Sequence, residues 1–363
     1  MTKNSRLQSI VKASFDFGNS YSKFSYATSD GIYSNTTATY LVELTAHEAK
    51  QFGGEGSNPD IYEVNDKIYA IGEIAKRRTV SRLQGAARYT PNQIGVMFAI
   101  CAFDAFTQSE NNIYLTATHP PRDSAYRPML AEAIKGTEWT VEHCGQVKRF
   151  QVQNVKTLSE PLAGLMCYSL DMSGNGSIGT RKVISNNGIL VIDIGGYTTD
   201  MIMVYPGLNI DMGSGSSLTL GFNDLIHQAR TQMRETYPDV FLNLPDYDEM
   251  FIREMFGRAT GRIYAKLAGK APEKWPDVTS IVNELSLSIV AQVRDATLRY
   301  MSSGRVDTIL LTGGGCDALH DRLKIALDHT DIVLADTRGR MQTANSKGGV
   351  KWQVFVEAMR EQK

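Results

Sequence analysis

Two short segments, about half a chain apart, carry aspartate, glycine and hydroxyl residues in a similar order. The first runs from Asp16 to Lys23 and reads DFGNSYSK, and the second runs from Asp193 to Asp200 and reads DIGGYTTD. Each follows an apolar run and continues into residues suited to another strand. Each segment therefore predicts a β-hairpin with a carboxylate beside its turn.

The two predicted turns suit the chemistry of phosphates. Glycine lets backbone N–H groups approach a phosphate that a Cβ would hold away, and such concave arrays bind anions. Asp16 and Asp193 would hold the magnesium that accompanies the phosphates, since hard cations prefer oxygen ligands. Lys23 could reach the β- and γ-phosphates as a point charge, or it could be a surface lysine on an alternating strand. One such hairpin is ordinary turn chemistry, whereas two of them predict a phosphate site.

Two further segments could complete this site. Gly313-Gly314-Gly315 follows a predicted strand at 308–312, and only glycine lets a flat base or sugar lie directly against a turning backbone. Glu160 precedes Pro161, which suits the first helical position, so the carboxylate would sit at a helix mouth and could orient an attacking water. Each segment also has a structural alternative, which is a tight turn for the glycines and a helix-capping carboxylate for Glu160.

Composition and charge exclude several classes of protein. The net charge is −1, so strong direct binding to nucleic acid is not expected. Four cysteines and six histidines are scattered without paired or metal-ligand spacing, which predicts a reducing compartment, the cytoplasm. No stretch approaches the roughly 20 apolar residues that cross a bilayer, so no membrane association is expected. A Walker A motif and a G-x-G-x-x-G fingerprint are both absent, which disfavours a P-loop enzyme.

Apolar periodicity predicts the elements that position these motifs. In chain order they are strands at 61–62 and 67–70, a helix at 94–106, strands at 113–117 and 150–155, and helices from about 223 and from 280. Residues 118–122, which include His119, are predicted to form a loop, and the Gly/Ser-rich run at 213–217 is predicted to form a turn. The last helix carries an apolar stripe predicted to pack in the core: Trp352, Phe355, Val356 and Met359.

A chain of 363 residues exceeds the usual size of one hydrophobic core, so two lobes are expected. Lobe I is predicted at 1–182, with an appendage at about 28–92. Lobe II is predicted at 183–341, with an appendage at about 225–278. Residues 342–363 are predicted to return to lobe I.

The order of the motifs resembles the actin-like ATPase superfamily, which includes actin, the seventy-kilodalton heat-shock chaperones and the sugar kinases. The motifs are Asp16-x-Gly-x-x-x-x-Lys23, Glu160-Pro-x-Ala-Gly164, Asp193-x-Gly-Gly-x-Thr-x-Asp200 and Gly313-Gly-Gly. The loop that begins at Thr118 and the segment Thr343-Ala-Asn345 look most similar to ParM-type plasmid-segregation proteins and their archaeal relatives. The resemblance implies an α/β fold of two ribonuclease H-like lobes. Each lobe would be a mixed five-stranded sheet flanked by helices, with nucleotide in the interlobe cleft.

The resemblance also implies roles for individual residues. Asp16 and Asp193 would position Mg²⁺ through water, and Glu160 would orient the water that attacks the phosphate. The first phosphate loop would contain Gly18, Asn19, Ser20 and Lys23, and the second Gly195, Gly196 and Thr198. The adenosine pocket would be lined by Gly313, Gly314 and Gly315. The implied cofactors are ATP or ADP with Mg²⁺.

The implied function is an ATPase that polymerises with ATP bound and disassembles after hydrolysis. Its partners would be further copies of itself and a centromere-binding adaptor protein that carries plasmid or other DNA. The near-neutral charge fits a protein that does not itself grip DNA. The alternatives are a small-molecule kinase of the same fold and a cell-shape or division scaffold. A kinase would need a substrate-activating aspartate and pocket-building insertions, and neither is identified in the sequence.

Overall fold

The two hairpin motifs lie in different units of the chain, and each unit has its own β-sheet. The structure, a computed structural model, describes residues 10–18, 20–52, 58–78, 90–121, 126–176, 188–241, 249–257, 261–267, 269–302, 305–329, 331–336 and 341–361. The first unit comprises Met1–Thr180 and Thr343–Lys363, and the second comprises Arg181–Gln342. The predicted α/β fold is confirmed, because sheets and helices occur in both units.

The first unit contains a mixed sheet that nine of the described strands form. They are β1 (Val11–Phe17), β2 (Tyr21–Thr28), β3 (Gly31–Ala38), β4 (Leu41–Leu44), β5 (Ile61–Val64), β6 (Lys67–Ile71), β7 (Glu110–His119), β8 (Glu138–His143) and β9 (Gln146–Ser159). The strand order is β3-β2-β1-β7-β9-β8-β5-β6-β4. Strand β1 pairs antiparallel with β2 and parallel with β7, and β7 pairs parallel with β9.

The prediction of five strands was wrong for this unit, because the sheet continues beyond β9. Strand β9 is 14 residues long, and its length lets it pair with β7 on one side and with β8 on the other. Strands β5, β6 and β4 then follow β8. Strand β3 lies inside the range predicted as an appendage, yet it pairs with β2 along its whole length.

The second unit has a sheet in which five described strands pair. They are β10 (Ile189–Ile194), β11 (Thr199–Tyr205), β12 (Asn209–Leu218), β13 (Thr308–Thr312) and β14 (Ile332–Leu334), in the order β12-β11-β10-β13-β14. Strand β10 pairs antiparallel with β11 and parallel with β13. This order and these directions repeat those of β3-β2-β1-β7-β9. The two predicted hairpins are thus confirmed, and each begins with the central strand of a five-strand pattern.

Helices cover the sheets. They are α1 (Ala46–Gln51), α2 (Gly72–Arg78), α3 (Pro91–Ala105), α4 (Tyr126–Ile134), α5 (Glu160–Ser169), α6 (Phe222–Thr236), α7 (Pro238–Phe241), α8 (Glu249–Phe256), α9 (Thr279–Met301), α10 (Cys316–Leu327) and α11 (Ala344–Glu361). Helix α3 begins at a capping box that Thr90 forms with Gln93. It buries Phe98, whose ring centroid lies 5.9 Å from that of Phe15 and 6.0 Å from that of Phe24. This aromatic cluster is the core beneath the first hairpin.

Two segments predicted to be irregular contain strand residues. Thr118 and His119 end β7, and His119 is 1% exposed and pairs with Ser159 of β9. Pro120 and Pro121 lie outside any strand, so the predicted loop begins two residues later than expected.

The Gly/Ser-rich run at 213–217 lies within β12, where Ser216 and Ser217 pair with Met201 and Asp200 of β11. The small residues of that run adopt extended backbone in an edge strand, so the prediction of a turn was wrong.

Helix α11 buries a different face from the one predicted. Met359 is 45% exposed, and the other members of the predicted apolar stripe are only half-buried. The buried residues are mostly small: Ala344, Asn345, Ser346, Gly348, Gly349, Val350 and Gln353. A Cβ at Gly348 would lie 1.7 Å from Ala163 O of α5, so the helix needs glycine to approach its neighbours this closely.

Candidate functional site

The first hairpin places Asp16 opposite Lys23. The two residues are Cα partners across β1 and β2, and Lys23 Nζ lies 3.2 Å from Asp16 Oδ2. Gly18 lies in the turn, where a Cβ would come within 2.6 Å of both Lys23 Nζ and Tyr21 O. Glycine is therefore required for this turn to close over the ion pair. Asn19, which was predicted to belong to the same loop, lies outside the described residues.

Thr39, which follows β3, holds the first turn in place. Its backbone N–H donates to Ser20 O at 3.0 Å, and its hydroxyl donates to Gly18 O at 2.7 Å. The same hydroxyl lies 3.2 Å from Ser22 Oγ. These bonds fix two of the predicted phosphate-loop residues before any ligand binds. The sequence did not identify Thr39, because a single threonine after a strand matches no motif.

The carboxylate of Asp16 has two different environments. The residue is 2% exposed, and Oδ2 faces Lys23. Oδ1 is buried and has no hydrogen-bond partner within the described part of the chain. A buried polar atom without a partner costs free energy, so such an atom usually marks a position where another group donates to it. Asp16 Oδ1 thus fits a ligand that presents hydrogen-bond donors.

Glu160 begins α5 directly after β9. Ser159 occupies the N-cap position with extended backbone, at φ −72° and ψ 145°. Pro161 is therefore the second helical residue rather than the predicted first, and proline is tolerated there because the first N–H groups of a helix have no intrahelical acceptor. Strands β1, β7 and β9 run parallel to one another, so Asp16 and Glu160 lie at the same edge of the sheet. In open α/β sheets, ligands bind outside the carboxyl ends of the strands.

The second hairpin carries a second aspartate where the first carries lysine. Asp193 and Asp200 are Cα partners, and each is 3% exposed. The turn is closed by the Gly195 N–H, which donates to Thr198 O at 2.8 Å. The Thr198 hydroxyl in turn donates to Asp200 Oδ2 at 3.0 Å. Two opposed carboxylates favour a cation nearby, in line with the magnesium predicted at Asp193, and the pairing adds Asp200 to the residues beside it.

The start of α6 fixes the second turn. The first two N–H groups of α6 donate to the carbonyls of Gly195 and Gly196, at 3.0 and 2.8 Å. Gly221 precedes the helix, and a Cβ there would lie 2.3 Å from Tyr197 N. The Gly221 N–H donates to Asp224 Oδ2 at 2.9 Å, which completes the helix cap. Gly221 was not predicted as a site residue, and its only sequence signal is its place before a predicted helix.

The glycine turn after β13 packs against the second hairpin. Gly313 has φ +86°, and a Cβ there would lie 2.2 Å from Asp193 Oδ1. The Gly315 N–H donates to Ile194 O at 2.9 Å, and a Cβ at Gly315 would lie 2.5 Å from Ile194 Cγ2. At Gly314 the nearest atom to a Cβ would be Gln342 Cγ, at 3.4 Å. Gly313 and Gly315 are therefore needed for the glycine turn to pack against the second hairpin. Gly314 has the most space around it of the three glycines.

Cys316 follows the glycine turn and is fully buried. Its thiol donates to Thr312 O at 2.8 Å. Burial, together with the nearby Asp193 carboxylate, raises the pKa of this thiol well above its ordinary value. The thiol therefore stays protonated and packs the base of the turn, and it does not act as a nucleophile.

The donor set suits a magnesium ion that arrives with a nucleotide. No cluster of three or more His, Cys, Asp or Glu side chains in the described ranges could hold a metal ion by itself. Mg²⁺ is commonly held by one or two carboxylates together with waters and substrate phosphates. Asp16 and Asp193 each lie near the end of the central strand of their own sheet, and the orphaned Asp16 Oδ1 can accept a hydrogen bond from the water of a hydrated cation.

Comparisons with known proteins connect this arrangement with actin homologues. The family described as "Archaeal actin homologue MreB-like, C-terminal" matches residues 191–325 of the chain. Ta0583, an archaeal actin homologue, is similar over 96% of this chain and 100% of its own, at 14% identity and a TM-score of 0.71. ParM of Bacillus thuringiensis, solved with ATP, is similar over 96% of this chain and 99% of its own, at 14% identity and a TM-score of 0.71.

A third structure extends the same pattern. The actin-like protein Alp7A is similar over 97% of both chains, at 16% identity and a TM-score of 0.71. No curated protein sequence matches the chain. The comparisons confirm the predicted resemblance to the actin-like ATPase superfamily near ParM-type proteins, and they confirm the two-lobe actin-like fold. No helix in the described ranges is long and apolar enough to cross a membrane.

Proposed function

We propose that the chain is an actin-like ATPase that assembles into filaments in its ATP-bound form. The observation that carries this proposal is the repeated hairpin, which has an aspartate near the end of the central strand in both units. Two such turns in one chain suit the phosphate tail and the cation of one nucleotide. The similar ParM was solved with ATP, which supports a bound nucleotide, and the fold shared with actin homologues supports the filament.

The roles of the residues follow from their chemistry. Gly18, Ser20 and Lys23 would bind the phosphate tail from the first turn. Gly195, Gly196 and Thr198 would bind it from the second turn, and Gly314 would contact the nucleoside. Asp16 and Asp193 would hold Mg²⁺ through its waters. When bound with ATP, this ion offsets the negative charge that the phosphates carry.

Glu160 is the proposed catalytic residue. Its carboxylate accepts a hydrogen bond from the attacking water and so aims the water oxygen at the γ-phosphorus. The bond from the γ-phosphorus to the bridging oxygen breaks, and the products are ADP and phosphate. Phosphoryl transfer depends chiefly on such positioning and on charge stabilisation, which the two fixed turns are suited to provide.

The proposed function includes filament assembly and the transport of a cargo. Copies of the chain would polymerise with ATP bound and separate after hydrolysis. A DNA cargo would be reached through an adaptor protein, since the net charge of −1 does not favour direct binding to DNA. A scaffold for cell shape or division would assemble in the same way but would carry no DNA.

Sedimentation distinguishes these functions. Purified chain is centrifuged at high speed with Mg-ATP, with Mg-ADP and without nucleotide, and released phosphate is measured in parallel. A filament-forming ATPase pellets with Mg-ATP and stays in the supernatant in the other two samples. A small-molecule kinase stays in the supernatant in all three, and it consumes ATP only when an acceptor such as a sugar is added. A chain that never pellets and consumes ATP only with an acceptor would be a small-molecule kinase, and the proposed filament would be wrong.

A further inference from the structure

Thr118 is the neighbour of Asp16 on the side away from Lys23. The parallel pairing of β1 with β7 makes Asp16 and Thr118 Cα partners, so their side chains lie on the same face of the sheet. On the other side of β1, Lys23 is the partner of Asp16 and holds Oδ2. A lysine, a carboxylate and a hydroxyl therefore form a row across the carboxyl ends of β1 and β7.

Two oxygens of this row are buried and lack a hydrogen-bond partner among the described residues. Asp16 is 2% exposed and Thr118 is 1% exposed. Within the described part of the chain, neither Asp16 Oδ1 nor Thr118 Oγ1 has a hydrogen-bond partner. Ser14 Oγ and Thr116 Oγ1, two residues earlier on the same strands, also lack partners among the described residues, so a missing partner alone does not mark a ligand. Asp16 and Thr118 differ from that pair because they lie at the carboxyl ends of β1 and β7, where ligands of open α/β sheets bind.

The hydrogen-bonding chemistry of Asp16 Oδ1 and Thr118 Oγ1 indicates which kind of ligand they can bind. A carboxylate oxygen only accepts hydrogen bonds, and a threonine hydroxyl can accept as well as donate. A hydrated cation presents its water hydrogens outwards and so offers donors to both oxygens. Mg²⁺ gives up its waters reluctantly, so groups that accept from these waters determine where the ion sits.

We propose that Thr118 is a positioning residue that acts with Asp16 Oδ1 on the water shell of the nucleotide-bound cation. The inference rests on the proposed function, because the cation arrives with ATP. Thr118 touches neither the phosphates nor the metal ion. It acts through the waters that lie between its hydroxyl and the ion. Outer groups of this kind commonly change metal affinity by about tenfold to a hundredfold when they are removed.

Thr116 provides a matched control on the same strand. It lies two residues before Thr118 on the same face, it is 0% exposed, and its hydroxyl also lacks a partner among the described residues. Its Cα partner is Ser14, and both lie beneath α11, where a Cβ at Gly349 would be 2.2 Å from Ser14 Oγ and 3.3 Å from Thr116 Cγ2. Thr116 is therefore covered by the helix and is set back from the strand end.

The test measures Mg²⁺ binding rather than turnover. A fluorescent ATP carrying a methylanthraniloyl group on the ribose is bound to the full chain in EDTA, and free Mg²⁺ is then titrated. Thr118→Val replaces the hydroxyl by a methyl of the same shape, and it should raise the half-saturating Mg²⁺ concentration about tenfold to a hundredfold. Thr118→Ser should titrate within about threefold of the wild type, as should Thr116→Val. The affinity for the fluorescent ATP in EDTA should be unchanged in all four proteins.

Other results of the Mg²⁺ titration would contradict the role of Thr118 or the proposed function. If Thr118→Val titrates like the wild type, Thr118 does not position the cation, although the proposed function stands. If Thr116→Val shifts as far as Thr118→Val, the effect is one of packing and the inference is wrong. If the wild type binds the fluorescent ATP at no Mg²⁺ concentration, the proposed function and the inference both fail. Thr118→Ala, measured alongside, replaces Thr118→Val if that variant does not fold.

Discussion

At the scale of residues, the two hairpins share a backbone plan but differ in charge. Asp16 faces Lys23 across the first hairpin, whereas Asp193 faces Asp200 across the second. The spacing of aspartate and glycine predicted both turns, since each motif is local and its residues lie within eight positions of one another. The residues that hold the turns are distant in sequence, so Thr39 and Gly221 could not be predicted.

Removing the carboxylate of Glu160 should separate hydrolysis from binding. Glu160→Ala removes the oxygens that would accept a hydrogen bond from the attacking water, whereas Glu160→Gln would keep an accepting amide oxygen. Groups that act on the reacting water typically contribute about 10²–10⁴-fold to rate, so phosphate release from Glu160→Ala should slow by a factor of this order. Binding of the fluorescent ATP should remain within a few fold of the wild type. Phosphate release at the wild-type rate would show that Glu160 does not orient the water.

The three glycines after β13 should differ in their tolerance of alanine. Gly313→Ala imposes φ +86° on a residue with a Cβ and drives that Cβ toward Asp193 Oδ1, 2.2 Å away. The cost should be about 1–3 kcal/mol of unfolding free energy, from strained backbone alone. Gly314→Ala is the control, because its Cβ would meet only the side chain of Gln342, at 3.4 Å. Urea unfolding of both variants without nucleotide measures the difference. Equal losses would mean that the Asp193 contact does not explain the need for glycine.

At the scale of elements, strands and helices were predicted correctly where apolar residues recur at a clear period. The predictions were wrong where small residues occupy the positions at which large apolar residues would mark that period. The helix at 94–106 and the strand at 113–117 correspond to α3 and β7. Strand β12 was mistaken for a turn because its Gly and Ser residues carry no alternating apolar pattern. The buried face of α11 was misjudged for a related reason, since it packs through Gly348 and Gly349 rather than through large side chains.

Helix α1 contributes a pH-dependent part of the stability of the first unit. Glu48 Oε2 accepts from the Thr45 N–H at 2.7 Å, and Glu48 Oε1 accepts from Arg78 Nη1 at 2.5 Å. The Thr45 N–H first, and the Arg78 guanidinium next, lower the pKa of Glu48 from 4.5 to about 2. A carboxyl whose pKa falls on folding stabilises the protein above its unfolded pKa and loses that effect as the pH drops toward the folded value.

Glu48→Gln should therefore lower the thermal midpoint at pH 7 and lower it less in acid. The wild type and the variant are melted at several pH values between 7 and 3. The gap between their midpoints should be constant down to about pH 4.5, the unfolded pKa of Glu48, and should narrow below it. A gap that stays the same at every pH would show that the charge of Glu48 does not contribute.

At the scale of the whole molecule, each unit has a sheet that begins with the same five-strand pattern. The motif order predicted this pattern through the resemblance to actin-like proteins, and the fold comparisons confirm it. Strands at 61–62 and 67–70 were predicted and correspond to β5 and β6, but their place in the sheet was not, because it depends on the pairing of β8 with the distant strands β9 and β5. Long-range contacts also escaped prediction, such as the bond of 2.8 Å from Ser25 Oγ to Ser346 Oγ across 321 residues.

The central claim is that ATP hydrolysis controls assembly, and one time course tests it most directly. Mg-ATP is added to purified chain above micromolar concentration, while light scattering and phosphate release are recorded on the same sample. Scattering should rise, phosphate should appear afterwards, and scattering should then decay as ATP is used up. In Glu160→Ala the rise in scattering should persist and its decay should be slowed. Phosphate release with no change in scattering would contradict the filament and would favour a kinase or a partner-dependent ATPase.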